Sequence, residues 1–179
     1  MSLNKNLQNG TMAALGALAI CGCASPSLAI AKADKEALVA ALDDEYRAEA
    51  IYAAVIKKFG EARPFINIIE AERRHAASVK IEMDRLGISY NNTNPWLDKE
   101  QAPPSLLEAC QQGIVAERET IALYDKLLPT VQHAQVRKTL TTLQWASRER
   151  HLPAFERCVA RGGTMGPGRG INGRGRDQQ

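Results

Sequence analysis

Apolar residues recur along this chain in steps of three and four, in four separate stretches. That period is the signature of one helix face turned to a core. The first stretch runs from about Ala33 to Phe59, with Leu38, Leu42, Tyr52, Ile56 and Phe59 on its stripe and Gly60 as its stop. The second runs from about Pro64 to Leu86 and carries Phe65, Ile68, Val79, Met83 and Leu86, with Gly87 closing it. Pro64 suits a first turn, where its missing N–H is not needed. The third starts at Ser105, an N-cap with Glu108 three residues on, and ends near Leu128, before Pro129. Its stripe is Leu107, Cys110, Ile114, Ile121, Tyr124 and Leu128. The fourth, from about Gln132 to Ala160, carries Val136, Leu140, Leu143, Ser147, Ala154 and Cys158.

No stretch alternates convincingly with period two, so the pattern predicts an all-α fold. Two helices, the polar link "ISYNNTNPWLDKEQAPP" and two more helices predict a four-helix bundle with a long crossover between helices 2 and 3. An up-down bundle with a loose middle loop is the competing arrangement.

Each stripe is interrupted by a group that does not belong in an apolar core. Glu45 lies on the first stripe, Glu72 and His75 on the second, Glu117 on the third and His151 on the fourth. Glu72 and His75 are three apart and share a helix face. Buried carboxylates without partners cost several kcal/mol each, and three converging ones repel. A divalent cation removes both penalties and also accepts imidazole nitrogen. Glu from two helices and Glu-x-x-His from the other two is the ligand pattern of di-metal carboxylate proteins. The halves also echo each other, because Glu45 precedes Tyr52 by seven residues and Glu117 precedes Tyr124 by seven.

On these residues a family resemblance rests. "DDEYRAEAIYAAVIKKFGEARPFINIIEAERRH", "CQQGIVAERETIALYDKLL" and "LQWASRERHLPAFERC" resemble uncharacterised ferritin-like proteins of bacteria, grouped under a domain of unknown function, over roughly residues 34 to 160. Glu45 to Tyr52 and Glu72 to His75 are more distantly similar to rubrerythrin and ferritin. The resemblance implies a ferritin-like four-helix bundle binding iron or manganese, one or two ions, through Glu45, Glu72, His75, Glu117 and His151. It implies redox chemistry with oxygen or peroxide, or iron handling. A non-enzymatic envelope protein for metal storage, scavenging or scaffolding is the alternative.

The fourth helix departs from the pattern, since Arg148 stands where the family has Glu, three residues before His151. Three readings follow: two metals with one carboxylate fewer, one metal, or none, with Arg148 in a buried salt bridge. Tyr52 and Tyr124 are expected to hydrogen-bond the ligating carboxylates, or else to be core tyrosines satisfied by backbone. Glu49 is placed on the helix flank, and His133 on the surface. No catalytic Ser-His-Asp set, phosphate loop or zinc-type cysteine spacing is present.

Cys110 lies seven residues before Glu117, and Cys158 seven after His151. Seven residues are close to two helical turns, so each cysteine repeats its ligand's face about 10 Å along the axis. In antiparallel third and fourth helices the two then meet at one level, which predicts a disulfide. Two free buried thiols are the alternative.

Composition frames the compartment. Hydrophobic residues make up 45% of the 179 and aromatics 5%, which favours helix-on-helix packing. A net charge of +3 gives no reason to expect a specific nucleic-acid partner. Lys5 followed by "TMAALGALAICGCASPSLAIA" predicts a signal peptide over 1–31, cleaved after Ala29 or Ala31, with a lipoprotein variant through Cys23 and a retained membrane anchor as alternatives. The domain at 32–160 is therefore expected to be periplasmic or secreted. From Arg161 the chain holds seven of its 13 glycines, and a disordered Gly/Arg tail, touching anionic envelope surfaces weakly at most, is expected over 161–179.

Overall fold

The computed structural model describes residues 30–164. The expected signal segment up to Ala29, with Cys23, and the tail from Met165 lie outside the described residues. Among those described there are helices and no strand, and no helix is long and apolar enough to cross a membrane.

Helix α1 spans Lys32–Phe59 and α2 spans Phe65–Arg85. Helix α3 spans Leu106–Leu127, and Ser105 accepts from the Glu108 N–H as its cap. The last helical stretch consists of α4 (Ala134–Ala146), a π-helical turn (Ser147–His151) and α5 (Leu152–Ala160). It starts two residues later than the periodicity predicts. Asp34, buried in α1, accepts from the N–H groups of Gln132 and His133, and His133 accepts from Gln135 N–H. The turn before α4 is thereby fixed to α1.

Contacts along the link give the chain direction. Tyr46 Oη donates to the Asn91 carbonyl, Asn94 Nδ2 to Glu49, and Lys58 Nζ to the Pro103 carbonyl. Trp96 Nε1 donates to Asp43 and Arg47 lies over the Trp96 ring. The link thus leaves the end of α2, follows α1 toward its C-terminus and delivers α3 parallel to α2. The loose middle loop is replaced by a crossover held to α1 by side chains.

The apolar core has two lobes. One holds Leu38, Leu42, Val79, Met83, Val136 and Leu140, among others; the second holds Val55, Phe65, Ile68, Cys110, Phe155 and Cys158. Along each helix the ligand-type residue falls between the lobes. Cys110 and Cys158 form the expected disulfide, with their Cα atoms 6.0 Å apart and both residues fully buried. Beside it, Gly113 lets the Phe155 ring press onto α3, where an added Cβ would meet the ring at 2.6 Å. The start of the expected tail is ordered: Gly162 and Gly163, both at positive φ, close α5, and Gly163 N–H bonds the Cys158 carbonyl. Gly163 lies so close to Leu107 that a Cβ would overlap the Leu107 backbone.

Candidate metal centre

Between the lobes, Glu45, Glu72, Glu117, His75 and His151 come together in one layer. Glu72 is its centre. Its Oε2 lies 2.8 Å from His75 Nδ1 and its Oε1 lies 3.0 Å from His151 Nδ1. Each imidazole has a second carboxylate beyond it: Glu45 Oε2 is 3.4 Å from His75 Nδ1, and Glu117 Oε2 is 3.5 Å from His151 Nδ1. The two imidazole rings stack at 5.4 Å between centroids. One ligand atom from each of Glu72, His75 and His151 lies within 4.8 Å of the others.

The repeated Glu-x6-Tyr works across the halves. Tyr52 Oη in α1 donates to Glu117 Oε1 in α3 at 2.7 Å, and Tyr124 Oη in α3 donates to Glu45 Oε1 in α1 at 2.8 Å. Because α1 and α3 are antiparallel, each tyrosine reaches the other half's carboxylate. Burial, reinforced by nearby carboxylates, pushes both phenols well above their ordinary pKa, so both remain donors.

Electrostatics without a cation favour protons on this site. Burial alone would lower the pKa of His75, but Glu45 and Glu72 outweigh it and raise it to about 9. Burial likewise opposes His151 protonation, and Glu117 and Glu72 raise it to about 10. Burial would lift Glu72, yet the two histidines hold it at about 2. Glu45 goes the other way, raised to about 8 by burial and the Glu72 charge. One polar atom is left over: His151 Nδ1 is buried and has no aligned hydrogen bond, although Glu72 Oε1 is 3.0 Å away. The attraction there is of charge and not of direction, and Glu117 Oε2 is a second carboxylate oxygen at 3.5 Å. An unpaired buried donor is costly, and a cation seated among these oxygens would use that nitrogen as a ligand. The residues therefore fit a divalent metal ion, with carboxylate oxygens, two imidazoles and no thiolate.

Arg148 does not belong to the centre. Its side chain is 48% exposed and lies 3.4 Å from Asp125 on the surface. It forms no buried salt bridge, and its expected place beside the carboxylates is corrected. The reason is the π-helical turn, in which Leu152 N–H bonds the Ser147 carbonyl five residues back. In that wider turn the residue stacked against His151 is four or five positions earlier. Ser147 is buried there, and Arg148 swings out. Glu49 sits on the flank as expected, accepting from Arg73 and Asn94. His133 caps α4 away from the site.

The periodicity missed Asp44, which neighbours Glu45 and accepts from Thr120 Oγ1 across the α1–α3 interface at 2.8 Å. Burial, opposed by that hydrogen bond and helped by the charges of Glu72 and Glu117, raises it to about 6. Its neighbour Asp43 is exposed, and nothing in the stripe distinguishes the two.

The fold has a solved counterpart. The crystal structure of a hypothetical protein from Methanococcus jannaschii DSM 2661 is similar with a TM-score of 0.66, over 75% of this chain and 84% of that one, at 22% identity. At that identity the likeness speaks for the helical fold alone. No family model and no curated protein matches the chain.

Proposed function

We propose that this chain is a ferritin-like metal-binding protein whose centre holds iron or manganese for redox chemistry. The observation that carries the reading is the orphaned, buried His151 Nδ1 facing a layer of three buried carboxylates. We assign two cations, because the layer divides into two similar halves about one carboxylate. Glu45 and His75 would hold one cation and Glu117 and His151 the other, with Glu72 shared. This is the first of the three alternatives raised by Arg148, two metals with one carboxylate fewer.

Iron or manganese held there would supply one-electron oxidation and reduction. The chain's own part is to place and shield. Tyr124 and Tyr52 fix the rotamers of Glu45 and Glu117. The apolar lobes flank the layer on either side and leave His75 partly exposed. Metal loading has to displace the protons that the isolated site retains on His75, His151 and Glu45. An oxidising compartment, periplasmic or extracellular, accords with the Cys110–Cys158 disulfide.

The experiment is elemental analysis of the purified chain, giving metal identity and ions per chain, repeated on His75→Ala and His151→Ala. We expect close to two ions of iron or manganese in the parent and fewer in each variant. A parent without either metal that also fails to take up Mn(II) or Fe(II) would sink the reading.

A further inference from the structure

The two halves of the centre are anchored differently. Glu45 and His75 sit on α1 and α2, which are joined by a short turn and have no covalent tie. Glu117 and His151 sit on α3 and the π-helical turn, and the disulfide joins the same two helices. Cys110 repeats the face of Glu117, and Cys158 that of His151.

The turn that carries His151 is pinned to α3 on both sides. Before it, Gln144 Nε2 donates to the Ile121 carbonyl and to Asp125. After it, Phe155 presses on Gly113 and Cys158 is bonded to Cys110. A π-helical turn holds one residue more than an α turn needs, and here both of its flanks are held to α3. Releasing the α5 flank lets the turn relax and rotates His151 away from Glu117 and Glu72. His75 loses the stacked His151 ring but keeps its place relative to Glu72, because the two share an unbroken α2.

We infer that the Cys110–Cys158 disulfide positions His151, so that its thiol–disulfide state selects between two bound cations and one. The inference rests on the two-cation reading above. The reductant is a dithiol: it supplies two electrons and two protons, the Sγ–Sγ bond breaks, two cysteine thiols form and the dithiol closes to its own disulfide. Both cysteines are fully buried, so the dithiol reaches Cys158 through local opening of the last turn of α5, which ends two residues on.

The test uses the full chain, stripped with a chelator and titrated with Mn(II). Three forms are compared: the oxidised protein, the protein reduced with dithiothreitol and exchanged into thiol-free buffer without oxygen, and Cys110→Ala/Cys158→Ala. Mn(II) per chain, free thiols and far-UV circular dichroism are read on each. We expect two Mn(II) in the oxidised form. In the other two, one site keeps its affinity and the second weakens on the order of tenfold or more. His151→Ala already lacks the second site, so reducing it should leave its Mn(II) content unchanged.

Equal affinities in all three forms would overturn the inference and leave the metal reading standing. Loss of both cations together with helix content, in the variant and in the reduced parent alike, would also overturn it, by making the disulfide a general staple. No Mn(II) binding by the oxidised form would sink the metal reading and the inference with it.

Discussion

The α1–α2 hairpin and the α3–α4–α5 hairpin each supply one tyrosine, one histidine and one outer glutamate, and the first adds the central Glu72, yet they hold their histidines by different means. In the first, Glu72 and His75 are three residues apart on an unbroken helix, and local geometry sets both. In the second, a π-helical turn, a disulfide and a glycine–aromatic contact together place His151. The central carboxylate comes from the first hairpin alone. Two equivalent faces can thus be built once by spacing within a helix and once by what lies against it.

The change with the largest expected effect removes the carboxylate that the halves share. Glu72→Ala leaves the buried His151 and the half-buried His75 beside one carboxylate each, and breaking buried pairs in this way costs about 3–5 kcal/mol. Both halves should lose their cation together. Thermal unfolding and elemental analysis check this, and a variant that keeps one full ion per chain would show the halves to be independent.

Acid–base behaviour sharpens the comparison next. His75 and His151 are raised to about 9 and about 10 from 6.5. Their contribution to stability is complete below about pH 6.5 and lost as pH rises through those values. Glu45, raised from 4.5 to about 8, also contributes below its unfolded value and loses that contribution as pH rises. Glu72, lowered to about 2, contributes above about pH 4.5 and loses it as pH falls. The chelator-treated protein should therefore lose Tm steadily between pH 6.5 and 10. NMR titration of the imidazole protons should show His75 losing its proton first. A Tm that is flat over that range would contradict the charged network.

The tyrosines test reciprocity. Tyr52→Phe and Tyr124→Phe should each cost about 1–2 kcal/mol, since each removes one buried donor to a carboxylate. Urea unfolding of both gives the comparison, and a cost in only one variant would break the symmetry between the halves.

Arg148 should matter least. Arg148→Ala removes a surface pair with Asp125 and should change stability by no more than about 0.5 kcal/mol. Metal content should stay at the parent value, and a fall in it would return Arg148 to the centre.

The sequence by itself determined the four amphipathic helices, the residues that interrupt their stripes and the pairing of Cys110 with Cys158. These are periodic properties: a face recurs every three or four residues, and a group seven residues from a ligand repeats its direction. Ser105 and Gly60 marked helix ends because capping is local chemistry. Only the tertiary structure decided the rest. Periodicity assumes an unbroken α-helix, and by that assumption Arg148 faced the core. Docking α5 on α3 through Gly113, Phe155 and the disulfide accompanies a π-helical turn that keeps Ser147 on the stripe where the periodicity placed it and turns Arg148 outward. Tyr52 and Tyr124 were placed near the carboxylates by their spacing, but which glutamate each one holds depends on the antiparallel register of α1 and α3. Asp44 carried no signal, because its hydrogen-bond partner Thr120 lies on another helix. Within a helix, spacing fixes direction; between helices, packing fixes partners.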